Sequence, residues 1–173
     1  LGLICNVEYR AISAEANTAH GLSPILAILD ELGQVRGNQD SFVEAIETAQ
    51  GAHEKPLLIA ISTQSATDGD LFSQWLDDAA NAKDPRIVSH VYSAPAECDL
   101  SDRKAWKAAN PALGKFRSVA DIKDFAKQAE RLPAKANSFR WLYLNQRIEA
   151  QSPFLSRAEW QANKIAPSHK PDD

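Results

Sequence analysis

The sequence predicts an α/β fold: a partial parallel sheet with flanking helices, followed by a mainly helical C-terminal segment. Three observations predict it. Two short, unbroken apolar runs, Ile25-Leu26-Ala27-Ile28-Leu29 and Leu57-Leu58-Ile59-Ala60-Ile61, have the length and composition of strands covered on both faces. Stretches with helical apolar spacing separate them from each other and from a further strand-like run. Beyond Pro95 only helical spacing remains.

In order along the chain, Val7 to Ile12 alternates as a half-buried strand does, and a polar, turn-rich stretch runs from Ser13 to Pro24. The first apolar run ends abruptly at Asp30-Glu31, and Gly33 to Asn38 reads as loop. Ser41 to Ala49 has helical spacing, with Asp40 or Ser41 as N-cap, Gly51 closing it and Pro56 preventing continuation. The second apolar run ends in Ser62-Thr63-Gln64. Asp70 to Lys83 reads as an amphipathic helix through Leu71, Phe72, Trp75, Leu76 and Ala79, and Ile87 to Tyr92 as a third strand. Helices are then expected over 101–109, 118–132, 133–145 and 156–163, the last opened by a Ser156/Glu159 capping box. The divisions follow: an α/β unit over 1–95, a helical segment over 96–165 and a polar, Pro-containing tail over 166–173.

Bulk properties narrow the function classes. A net charge of −4 and a pI near 5.6 argue against a chain that coats nucleic acid with its whole surface, though not against a local basic patch. No apolar run approaches the roughly 18 residues of a membrane span. Cys5 and Cys98 are too far apart and too few for a disulfide framework and read as small buried hydrophobes. His20, His53, His90 and His169 have no metal-ligand spacing. The absence of Met, and a first residue leading straight into a strand-like segment, predict a piece cut from a longer chain.

The chemistry concentrates where the two apolar runs end. Five apolar residues followed by two acids form the Walker B pattern. Ligands of open parallel sheets sit beyond the carboxyl ends of the strands. There a carboxylate such as Asp30 can hold Mg²⁺ through water, and the next, Glu31, can deprotonate an attacking water. The same residues also fit a buried strand meeting solvent. Ser62, Thr63 and Gln64 fit a sensor of the γ-phosphate or attacking water, or simply the start of a turn. Trp75, Trp106, Trp141 and Trp160 read as helix core rather than base-stacking platforms, and Arg131, Arg140 and Arg147 as solvated surface.

Together these segments resemble a family. His20-Gly21-Leu22-Ser23-Pro24, the apolar run with Asp30-Glu31-Leu32, and Pro56 to Gln64 are similar to the large terminase subunit of HK97-type and related tailed phages. Trp106-Lys107-Ala108-Ala109-Asn110-Pro111-Ala112-Leu113-Gly114 and Phe139-Arg140-Trp141-Leu142-Tyr143-Leu144-Asn145-Gln146 extend the resemblance from about Tyr9 to about Trp160. It implies a P-loop-NTPase-like ATPase domain with a C-terminal RNase H-like nuclease, and ATP hydrolysis coupled to translocation of double-stranded DNA. It also implies ATP and Mg²⁺ as cofactors. The implied partners are a small terminase subunit, a portal protein and other copies of the same chain, in the cytoplasm of a bacterial host. A Gly-x-x-x-x-Gly-Lys-[Ser/Thr] phosphate loop is absent from these residues, so neither cofactor is expected to bind this piece tightly and the piece alone is expected to be inactive. Two alternatives are a helicase-like P-loop ATPase fragment and a non-catalytic prophage remnant that only binds partners.

Overall fold

The computed structural model of the chain describes residues 2–3, 7–14 and 21–148. Two short strands, β1 (Gly2–Leu3) and β2 (Val7–Glu8), pair antiparallel. The strand expected over 7–12 is therefore confined to its first two residues, and it lies outside the parallel sheet.

The parallel sheet consists of β3 (Leu26–Asp30) and β4 (Leu57–Ile61), in register from Leu26 opposite Leu57 to Asp30 opposite Ile61. Hydrogen bonds from Leu57 N to Ile25 O and from Glu31 N to Ile61 O, 2.9 and 2.8 Å, extend the ladder one step at each end. The crossover is α1 (Ser41–Gln50). The carboxylate of Asp40 caps it, accepting from the backbone N–H groups of Phe42 and Val43 at 3.0 Å each. Gly51 sits at its end with a right-handed backbone, φ −60°, so it needs no glycine freedom there. At the same end the buried Gln50 amide donates to Leu57 O at 2.9 Å, tying the helix to the start of β4.

Among the described residues only one face of the sheet is covered. Ala27 and Leu29 of β3, with Leu58 and Ala60 of β4, pack against Val43 and Ile46 of α1 and Phe72 of α2 (Leu71–Asn81). On the other face Leu26, Ile28, Leu57 and Ile61 stay exposed, Ile28 at 49%. The described residues thus supply one of the two covering layers that the apolar runs call for. An unbroken apolar run shows that both faces are apolar. It does not supply the second covering layer, and the described residues place none there.

Asp70 stands at the start of α2, but its side chain does not cap it. It accepts instead from Gly37 N at 2.9 Å and Thr67 N at 3.2 Å and pairs with Arg36, stapling the loop after β3 to the helix. Burial pushes this carboxyl up, but those hydrogen bonds and the Arg36 charge outweigh it and hold it below the usual carboxylate range.

The third strand expected over Ile87 to Tyr92 is not formed; the segment carries neither strand nor helix. Ile87, Val88, Val91 and Tyr92 are all exposed. Alternation supplies the faces of a strand but not a ladder partner, and among the described residues no strand pairs with the free edge of β4.

After this segment come α3 (Arg103–Ala109), α4 (Val119–Arg131) and α5 (Pro133–Leu142), close to the expected bounds. Asp102 and Ser118 cap the first two, and Pro133 occupies the first turn of the third. Their core gathers Ala94, Cys98, Ala105, Trp106, Ile122, Ala126, Ala129, Phe139 and Leu144. Cys98 is a buried free thiol, in keeping with its reading as a small hydrophobe. The helix expected over 156–163, Trp160, Cys5, His20 and His169 lie outside the described residues. Among the described residues no helix is long and apolar enough to cross a membrane.

Candidate functional site at the paired strand ends

Because β3 and β4 run parallel and in register, both polar termini emerge at the same end of the sheet. Asp30 is the last residue of β3 and is exposed. Glu31 follows with φ 56° and ψ 32°, a left-handed conformation unusual for a residue with a β-carbon, and it too is exposed. The turn at Glu31 throws the chain into a single 3-10 turn, Leu32–Gln34, anchored by the buried Leu32.

Gly33 makes the closest approach. Its N–H donates to Ser62 Oγ at 2.8 Å, and a β-carbon placed there would lie 2.1 Å from Thr63 O. Only glycine lets the loop after β3 press onto the residues after β4. Gln34 Nε2 reaches Thr63 Oγ1 at 3.5 Å. We expect Gly33→Ala to push the two loops apart and lower stability by about 1–3 kcal/mol. Chemical denaturation checks this, and a midpoint equal to that of the parent sequence would contradict the close approach.

Asp30, Glu31, Ser62 and Thr63 are thus brought together. Gln64 is not left free beside them. Its N–H donates to Asn145 Oδ1 at 2.7 Å and its side-chain amide to Asn145 O. Its carbonyl accepts from Trp141 Nε1 at 2.7 Å, and its Oε1 from Arg147 Nε at 3.1 Å. All four polar atoms of Gln64 are therefore engaged with residues 141–147.

Sequence reasoning missed this connection. The expectation that Arg140 and Arg147 are solvated is corrected. Arg140 bonds Gln146 Oε1 and Cys98 O at 3.1 and 3.2 Å. The side chain of Arg147 is 23% exposed and pairs with Asp77 at 2.7 Å and Asp68 at 3.1 Å. Its hydrogen bond holds the Asp77 carboxyl below the usual range, and in return the guanidinium is raised. Arg131 is exposed, as expected. Trp106 is core, whereas the half-buried Trp141 carries the bond to Gln64 and faces the Arg36 guanidinium at 5.0 Å.

The two later segments that carry the resemblance, Trp106–Gly114 and Phe139–Gln146, hold the helical region together. The buried Asn110 amide spans Trp106 O and Tyr143 O at 2.9 and 2.8 Å, joining α3 to the end of α5. Gln146 Nε2 is bonded to Pro95 O within the loop before α3. Asn145, at φ 52°, donates to Tyr92 O at 2.9 Å while holding Gln64.

The donor set at the strand ends is all oxygen: two carboxylates and two hydroxyls. Among the described residues no group of three or more His, Cys, Asp or Glu could cage a metal. That set suits Mg²⁺, which takes one or two protein carboxylates and completes its shell with water and phosphate.

No protein-family model matches the chain. The chain is 60% identical over 171 residues to the large terminase subunit of Enterobacteria phage HK97, covering 99% of this chain and 34% of that protein. It is also similar to the crystal structure of the HK97 bacteriophage large terminase, with a TM-score of 0.81 and 61% identity over 93% of this chain and 34% of that one. The chain thus spans about a third of the length of the curated relative it matches.

Proposed function

We propose a function from the premise that this chain, over nearly all its residues, is homologous to part of a phage large terminase. It contributes the hydrolytic strand ends of a DNA-packaging motor that couples ATP hydrolysis to translocation of double-stranded DNA. The observation that carries this reading is the oxygen-rich end of the parallel pair, where Asp30 and Glu31 lie beside Ser62 and Thr63.

In this reading the sheet is part of a P-loop-NTPase-like core, and Asp30–Glu31 is its Walker B pair. Residues 1–95 belong to the ATPase core and 96–165 to a linker subdomain, and 166–173 lead toward a nuclease domain. Asp30 would hold Mg²⁺ through water, and the ion would supply positive charge against the phosphates. Glu31 takes the proton from the attacking water. Ser62 and Thr63 register whether the terminal phosphate is present, and Gln64 passes that state to Asn145, Trp141 and Arg147. A small terminase subunit, a portal protein and further copies of the large subunit complete the machine in the cytoplasm of a bacterial host.

The test is a Mg²⁺-dependent ATPase assay, with and without double-stranded DNA, on a full-length protein carrying this sequence and on the 173-residue chain alone. The full-length protein is expected to hydrolyse ATP. The chain alone is expected not to reach a motor-like rate, because catalysis of this kind is chiefly positioning and charge stabilisation, and no phosphate loop is present to supply them. An inactive full-length protein sinks the motor reading. Robust activity of the chain alone would show that it carries its own phosphate site.

A further inference from the structure

From Arg103 to Ala120 the sequence holds five basic residues and no acidic one, in a chain of net charge −4. Arg103, Lys104 and Lys107 lie within one arc of α3, opposite the buried Ala105 and Trp106 that fix the helix to its core. Lys115 and Arg117 follow in the loop before α4. All five are exposed, and none forms an ion pair among the described residues. Arg117 is braced over the Tyr143 ring at 5.4 Å.

Between Lys115 and Arg117 stands Phe116, 90% exposed. It is not on a loose tether. Leu113 packs on the helical core and its N–H donates to Asn110 O at 2.9 Å. Lys115 N donates to Ala112 O and Gly114 N to Arg117 O, 3.0 Å each, and Gly114 turns at φ +79°. A hydrogen-bonded loop therefore holds an aromatic ring in water between two cations.

We propose that the basic face of α3 and the loop 113–117 form a contact surface for the backbone of double-stranded DNA, with Phe116 set against the groove edge between phosphates. Unpaired lysine and arginine neutralise phosphates and release their counterions, which drives association. A single apolar side chain flanked by cations suits a wedge at the groove edge. A protein partner fits less well, since such an interface needs a larger apolar centre with few charges in it. The choice of DNA among polyanions rests on the proposed function.

The test is fluorescence anisotropy of a labelled duplex titrated with the 173-residue chain over a range of salt concentrations. Binding at low salt is expected, with affinity falling steeply as salt rises. Removing Lys115 and Arg117 together should flatten the plot of log affinity against log salt by about 1.8, since each lost phosphate contact contributes about 0.9. Phe116→Ala should weaken binding about 5-fold or more at unchanged slope, and Phe116→Trp should restore it. Circular dichroism melts confirm that these surface variants fold. No binding at low salt, an unchanged slope in the double variant, or equal affinity of Phe116→Ala each overturns the proposal, as does tighter binding of a single strand of the same length. The ATPase assay on the full-length protein can be run without duplex, so failure of this surface and failure of the ATPase reading are separable.

Discussion

Glu31→Gln, in a full-length protein carrying this sequence, is expected to lower ATP turnover about 10²–10⁴-fold while nucleotide affinity is largely kept, the usual consequence of losing a general base. The substitution preserves shape and keeps an oxygen at the same place. It removes the one property the role requires, the ability to accept a proton from water. The local fold should be indifferent to it, because Glu31 is exposed and its backbone hydrogen bond to Ile61 O does not involve the side chain. Steady-state turnover measured with nucleotide affinity checks the split. Near-normal turnover would remove Glu31 from the role. Equal loss of affinity and turnover would point to binding instead of proton transfer.

Asn145→Ala is expected to lower stability by about 2–5 kcal/mol. The side-chain bonds to Gln64 N and Tyr92 O disappear; the part-buried Gln64 N–H is stranded at a cost of roughly 1–3 kcal/mol, while the exposed Tyr92 carbonyl is left to water. Alanine must also adopt the left-handed backbone at φ 52°, which adds about 1–2 kcal/mol. Asn145→Gly separates the two effects, since it relieves the backbone and still lacks the amide. Urea unfolding of both variants is the measurement, with glycine expected to fall between alanine and the parent. Glycine matching the parent would mean that the amide's bonds contribute nothing and that the conformation is the whole requirement.

The parts of the fold legible in the sequence are those decided locally. β3 and β4 are compact apolar runs that meet polar residues sharply, and α1 and α4 announce themselves through Asp40 and Ser118. Asp30 and Glu31 could be read for the same reason, because their meaning follows from the five residues before them. What could not be read is decided at a distance. Ile87 to Tyr92 has the alternation of a strand but lacks a ladder partner, and no local pattern carries that information. Arg147 looks like any surface arginine until Asp77, 70 positions earlier, is folded beside it. Gln64 was singled out, but its partners were hidden for the same reason. The one available signal was Leu144-Asn145-Gln146, a polar segment with no chemistry of its own in an otherwise ordinary helical region.

The bond between Gln64 and Asn145 also sets an order of events at the ribosome. Its two partners are 81 positions apart, and Ile148 N closes on Ala66 O across a similar gap. At the ~5–20 residues per second of synthesis, the later partner is made roughly 4–16 s after the earlier one. The β3–α1–β4 unit, whose contacts are all nearer in sequence, can pair well within that delay. During the wait the loop after β4 is held only by the loop after β3, through Gly33 and Ser62, and lacks its bonds to Asn145 and Ile148. The last turns of this region to be translated are therefore those that fix the β3–β4 pair to its helices, and a nascent chain stalled before residue 145 lacks that closure.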